Sequence, residues 1–440
     1  MPISLLLALP IVLLLSSVSL ALGTRSSGEK PGASQFSRKG GIAPQMISQP
    51  ISQPIPPIIS QRIAAQTTPT TSELLRQSWT AYKQRFIQAD GRVIDWEANG
   101  RTVSEGQAYA MLRSVLANDP ATFALTLQWA EQNLQRRDGN QLRDRLWAWK
   151  WGQNDQGDDK GEWGILDSNF ASDADIDAAT ALILAARRWN RPEYLTLAQA
   201  KLKDIWESST IVVNSSAPMR HLLPGPIASF QPQPDRVILN PSYGAPYAFR
   251  LFAQVDPGRD WMSLVESSYR LLEDSAALSE AGLPSDWVVL NLTTGAYEPI
   301  DESLAQETNL RSVYSFDAFR VWWRVALDAT WFNEPRAVAY LREHLRPLQQ
   351  QWRSNRRIAA RIDLEGNPTV SYEATSQYAM LYPAMRLIDP ALADEIRSQK
   401  LLSTYRNGIW DNDSAYYVQN LAWFGLFPNR EVAASWLRSR

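Results

Sequence analysis

From Ser72 onward, apolar residues recur at three- and four-residue steps, and this rhythm limits what the chain can become. Within residues 176–189 the apolar positions are Ile176, Ala179, Leu182, Ile183 and Ala186. Phe319, Trp322, Trp323, Ala326 and Leu327 repeat the pattern. Stripes of this kind turn one face of a helix toward a core. Similar stripes fall at 121–134, 264–272 and 432–437, whereas strand-like runs are confined to short pieces near 211–213 and 287–290. The expectation is an all-α domain of many helices joined by long connections bearing Pro, Gly and Asp. No shift in composition divides residues 72–440, so they read as one domain.

Composition removes several kinds of chemistry. The chain has 440 residues, 45% of them hydrophobic and 20% charged, with a net charge of -2. A near-neutral balance gives no electrostatic basis for binding nucleic acid. The absence of cysteine excludes disulfides, thiolate metal sites and a cysteine nucleophile. His221 and His344 are the only histidines, too few for a multi-histidine metal centre, and each reads as structural. There is no Gly-x-Ser-x-Gly elbow. Neither a metal nor a cofactor is expected.

Three acids stand near apparent helix starts: Glu105 in Ser104-Glu105-Gly106-Gln107, Asp173 in Ala171-Ser172-Asp173-Ala174-Asp175, and Asp317 in Tyr314-Ser315-Phe316-Asp317. Each follows a serine by one or two residues, and Ser104 with Gln107 and Ser172 with Asp175 suggest capping boxes. A lone acid in this position is ordinarily a partner for the helix dipole, worth about 0.3–1 kcal/mol. The surroundings carry the reading further. Gly106 permits close approach of another chain segment, and Arg320 follows Asp317 by one turn, placed to pair with it. Asp173, Asp175 and Asp177 open like a calcium loop, but Ala178 and Leu184 stand where such a loop needs Gly and Glu. On a helix the three cannot share a face. The chain also holds 18 Trp and 15 Tyr. Trp147, Trp149 and Trp151 alternate, with Trp163 close behind, as though lining one surface of a groove where sugar rings could stack. Acids and aromatics together point to acid/base chemistry on a sugar polymer.

These residues resemble family-8 glycoside hydrolases, the endo-acting bacterial cellulases, xylanases and related enzymes. The resemblance rests on Gly91-Arg92-Val93-Ile94-Asp95, Thr102-Val103-Ser104-Glu105-Gly106-Gln107-Ala108-Tyr109, Leu166-Asp167-Ser168-Asn169, Ala171-Ser172-Asp173-Ala174-Asp175, Asn240-Pro241-Ser242-Tyr243, Pro284-Ser285-Asp286-Trp287-Val288 and Tyr314-Ser315-Phe316-Asp317-Ala318-Phe319-Arg320. It is strongest to the periplasmic cellulases that accompany bacterial cellulose synthesis. It implies an (α/α)6 barrel with a substrate cleft across the helix N-terminal end. It further implies Glu105 as general acid, Asp317 as general base and Asp173 as a third acid beneath the sugar. Tyr243 and Arg320 would orient the water and the base, Trp149 and Trp151 would be stacking platforms, and Tyr109 would belong to the substrate-binding set. Ala110 and Ala178 depart from the family pattern without removing a reacting group. The implied activity is endo-hydrolysis of β-1,4-glucan with inversion. Xylan or mixed-linkage glucan, and a non-catalytic glucan-binding role, are the alternatives.

Residues 1–23, apolar from Ile3 to Leu22, read as a signal peptide or a membrane anchor. No Lys or Arg precedes them, while Arg25, Lys30, Arg38 and Lys39 follow, an untidy layout for export. The sugar-directed chemistry nevertheless favours a secreted or periplasmic enzyme, with anchoring to the membrane left open. Residues 24–71 are rich in Ser, Gln and Pro and repeat Ile-Ser-Gln-Pro at 47–50 and 51–54, as a spacer would. The catalytic domain is assigned to 72–440, and a monomer is expected.

Overall fold

The computed structural model describes residues 70–155, 160–213 and 218–438. The leader and nearly all of the spacer assigned from sequence lie outside the described residues.

Helices alternate between an outer and an inner position. The barrel helices, in chain order, are α1 (Thr71–Phe86), α2 (Ser104–Leu116), α3 (Pro120–Asn133), α4 (Ser172–Trp189), α5 (Pro192–Ser208), α6 (Pro246–Val255), α7 (Trp261–Ala277), α8 (Phe319–Phe332), α9 (Pro335–His344), α10 (Thr375–Ile388), α11 (Pro390–Ile396) and α12 (Tyr416–Leu426); further helices, Arg346–Asn355 among them, lie in the connections. The even-numbered helices are mostly buried and pack in a closed ring, α2 on α4 and onward until α12 meets α2 again. The odd-numbered helices form the outer layer. This is an (α/α)6 barrel.

The inner helices can be nearly apolar all round because they face neighbours on every side. Residues 172–186 of α4 are buried without exception, and the polar residues among them must therefore find partners inside. Where two inner helices cross most closely, size decides. A Cβ on Gly425 of α12 would stand 2.0 Å from the Ala379 carbonyl oxygen of α10. Replacing Gly425 by alanine is expected to force the helices apart and cost roughly 1–3 kcal/mol, read as a lower thermal midpoint. An unchanged midpoint would show that the crossing can relax.

Strands, the longest of 13 residues, join the barrel helices. Strands β1 (Thr102–Val103), β2 (Gln135–Asp138), β3 (Gln141–Gln153) and β4 (Trp163–Phe170) form an antiparallel sheet in which β3 pairs with the other three. The strand-like runs expected near 211–213 and 287–290 are strands, at Thr210–Val213 and Val288–Asn291. At the C-terminal end the stripe at 432–437 yields only the short helix Ala434–Leu437. Among the described residues no helix is long and apolar enough to cross a membrane.

Candidate active site

The N-terminal ends of the inner helices meet at one mouth, and the three acids meet there. Glu105 lies in the first turn of α2 and Asp173 in the first turn of α4, while Asp317 stands just ahead of α8. One buried guanidinium joins them. Arg320 Nη1 donates to Glu105 Oε2 at 2.7 Å and to Asp173 Oδ2 at 2.8 Å, while Nη2 donates to Asp317 Oδ1 at 2.5 Å and to Ser242 Oγ at 3.0 Å. Arg320 thus pairs with Asp317, as their spacing suggested, but serves the other two acids as well. The terminal nitrogens of a planar guanidinium lie about 2.3 Å apart, so the bonded oxygens of Glu105 and Asp317 are separated by no more than about 7.5 Å.

Three carboxylates on one cation cannot all remain charged cheaply. Burial pushes the Glu105 carboxyl up to about 7; the Asp173 and Asp317 charges push the same way, while Arg320 and a hydrogen bond from Tyr416 oppose it. Burial also raises Asp173, against the pull of Arg320.

Gly106 explains how Glu105 gains another partner. A Cβ there would stand 3.1 and 3.3 Å from carbons of the Tyr416 ring. Its absence lets that ring lie against the first turn of α2, and the Tyr416 hydroxyl donates to Glu105 Oε1 at 2.9 Å. Tyr109, one turn along α2, is fully buried and directs its hydroxyl to Glu105 Oε2 at 3.4 Å. It therefore supports the carboxyl and offers no ring face to a ligand. Tyr243 lies beneath Arg320, its ring centroid 5.2 Å from the guanidinium carbon.

Asp175 and Asp177 turn away from the mouth. Asp175 pairs with the buried Lys201 at 3.0 Å, and Asp177 takes both terminal nitrogens of Arg324 at 2.9 Å. The alternating acids of α4 are thus distributed among three cations, and Asp173 alone joins the trio. The capping boxes do not form. Neither α2 nor α4 has a side-chain cap, and Ser172 Oγ donates to the Leu223 carbonyl. Gln107 is buried, accepting from Val93 N and donating to the carbonyls of Gly91 and Thr126.

The alternating tryptophans do not share one surface. Pairing along β3 shifts register on both sides of Lys150. Trp147 is fully buried with its indole N–H on Glu131, and Trp149 packs among Val103, Ala171, Phe230 and Trp287 beside the mouth. Trp151 is half-buried, stacked on Trp163 at 5.3 Å and met edge-on by Trp129. The indole left open is Trp163, 48% exposed. Trp149 is thus buried in an apolar cluster, and Trp151 lies beneath Trp163.

A pocket of about 490 Å³ is lined by Phe316, Tyr372 and Tyr417 together with Glu373, Lys400 and Asp411, and none of the three acids lines it. Tyr416, Tyr417 and Ser242 had no role assigned from sequence. The Tyr416-Tyr417 pair opening α12 was the signal that could have revealed the tyrosines, and the Asn240-Pro241-Ser242-Tyr243 motif the one for Ser242.

A six-hairpin helical barrel with an acid trio at its mouth defines a class of protein, and sequence comparison specifies the family within it. The chain belongs to the glycosyl hydrolases family 8, whose profile matches residues 47–429. It is 36% identical over 255 residues to an endoglucanase of Xanthomonas axonopodis pv. citri (strain 306), covering 57% of this chain and 60% of that one. It is 34% identical over 251 residues to an endoglucanase of Escherichia coli (strain K12), covering 57% and 62%. The matched region thus spans about 60% of the length of these curated relatives. Among solved structures, the endo-1,4-D-glucanase from Vibrio fischeri ES114 superposes with a TM-score of 0.67 at 29% identity, over 79% of this chain and 93% of that one. The endo-beta-1,4-glucanase CMCax from Acetobacter xylinum gives 0.62 at 25%, over 81% and 97%.

Proposed function

We propose that this chain is an endo-acting hydrolase of β-1,4-glucan that inverts the anomeric centre. The observation that carries the reading is the meeting of Glu105 and Asp317 on one guanidinium, with burial holding the Glu105 carboxyl up to about 7. Glu105 keeps its proton near neutrality and delivers it to the departing glycosidic oxygen. Asp317 takes a proton from a water that attacks the anomeric carbon from the other side. Asp173 lies between them beneath the sugar, and Arg320 holds all three in place. The ceiling of about 7.5 Å on the oxygen separation accommodates the lower end of the spacing of an inverting pair, ~6.5–9.5 Å, which leaves room for that water. The apolar leader and the spacer support a secreted or periplasmic location, with the domain working as a monomer.

Proton NMR of a β-1,4-glucan digest tests the reading. The α-anomer is expected to appear first, and an initial β-anomer would overturn inversion. Reducing ends should be released from carboxymethyl-cellulose; release from xylan or lichenan alone would reassign the substrate, and release from none would leave a binding protein. The pH profile has a predicted sign. Because Glu105 must be protonated to act, kcat/KM should fall as pH rises through about 7. A plateau extending past pH 9 would remove Glu105 from the acid role.

A further inference from the structure

Asp317 sits on a turn that its own helix does not cap. Helix α8 begins after Ala318 with no side-chain cap. Its first amides, of Phe319, Arg320 and Val321, bond to the carbonyls of Ser315, Asp317 and Ala318, while the amides of Ser315 and Ala318 in the turn itself take an acceptor from elsewhere. Asp286, nearly buried just ahead of the strand Val288–Asn291, supplies one. Its Oδ1 accepts from Ser315 N at 3.1 Å and from Ala318 N at 2.8 Å, the two amides that bracket Phe316 and Asp317. Its own backbone N–H donates to the Val313 carbonyl at 2.7 Å. On the far side of the turn, the Tyr417 hydroxyl donates to the Phe316 carbonyl at 2.8 Å. The turn is held from both sides, with Asp286 taking the amides of Ser315 and Ala318 and Tyr417 the carbonyl of Phe316.

We propose that Asp286 is a positioning residue for the reaction: its carboxyl clamps the turn 315–318 and so sets where the Asp317 carboxylate stands relative to Glu105. The proposal rests on the reading of Asp317 as the general base. The charged and titratable groups facing Asp286 are Asp317, Arg361, Tyr314 and Tyr417. Burial, then the Asp317 charge, hold the Asp286 carboxyl well above its ordinary range against the two amides and Arg361. What the clamp requires is an acceptor oxygen placed between the two amides. Asparagine keeps such an acceptor oxygen and is neutral, whereas alanine keeps neither the oxygen nor the clamp.

Steady-state kinetics on carboxymethyl-cellulose, well below the melting temperature of each variant, tests this. Asp286→Ala is expected to lower kcat by about 10²-fold, the scale of a misplacement near 1 Å, with KM within about twofold because the sugar contacts remain. Asp286→Asn is expected to recover kcat to within about tenfold of wild type. Equal turnover in the two variants, whether both active or both dead, overturns the clamp, and so does a loss confined to KM. Asp317→Asn separates this failure from that of the underlying reading: wild-type turnover there would remove the base itself, whatever Asp286 does.

Discussion

Glu105→Gln is expected to lower kcat on a β-1,4-glucan by about 10²–10⁴-fold, the usual contribution of a positioned acid, while leaving the protein at least as stable as wild type near neutrality. Glutamine has the same shape and cannot donate a catalytic proton. It also removes one of three carboxylates gathered on a single guanidinium. Its amide group meets a donor on one side, but the Tyr416 hydroxyl can rotate to accept from it. The pH dependence follows from linkage. The folded carboxyl titrates near 7 and the unfolded one near its ordinary 4.5, so between these values the native state holds the extra proton. Wild-type stability from this group therefore falls as pH rises through that window, and the variant escapes the loss. Melting curves from pH 4.5 to 8 should show the variant gaining on wild type up to about pH 7 and running parallel above it. Undiminished turnover, or a variant that loses ground as pH rises, would contradict the assignment.

The helices were legible because burial on one face is written locally, in steps of three and four. Inner helices α4 and α8 read correctly even though they are buried nearly all round, because their apolar residues still recur in steps of three and four. What failed were local rules with a distant competitor. Ser104-x-x-Gln107 has the letters of a capping box, but three buried backbone groups claim the Gln107 amide. Trp147, Trp149 and Trp151 have the period of a flat strand, but irregular pairing around Lys150 sends them to different neighbours. The pairing of Arg320 with Asp317 was visible as a one-turn step. Its bonds to Glu105 and Asp173 were not, because only the closed ring brings α2, α4 and α8 to a common mouth. Tyr416 escaped for the same reason: its partner is set by a glycine on a helix far away in sequence.

Removing that shared cation is expected to cost more stability than any other single change at the mouth. Arg320→Met fills a similar volume and leaves Glu105, Asp173 and Asp317 facing one another without a counter-charge. Breaking a buried pair from one side costs about 3–5 kcal/mol, since the orphaned charge has no solvent to return to. The carboxyls can respond only by taking up protons. Without the guanidinium the Glu105 and Asp173 carboxyls, already raised by burial, rise further, because Arg320 is what opposes that rise. A raised carboxyl is costly above its unfolded pKa and harmless below it. The deficit of Arg320→Met should therefore be largest at pH 7 and above, and should shrink as pH falls toward 4.5. Adding Asp173→Asn should recover part of it at neutral pH, since one fewer anion needs a partner. Arg320→Lys should not rescue the site, because an ammonium is a single point charge and cannot extend separate nitrogens to Glu105 and Asp317. Denaturant unfolding of the variants at pH 5 and pH 7.5 decides the matter. A deficit independent of pH would mean that packing around Arg320, and not its charge, holds the mouth together.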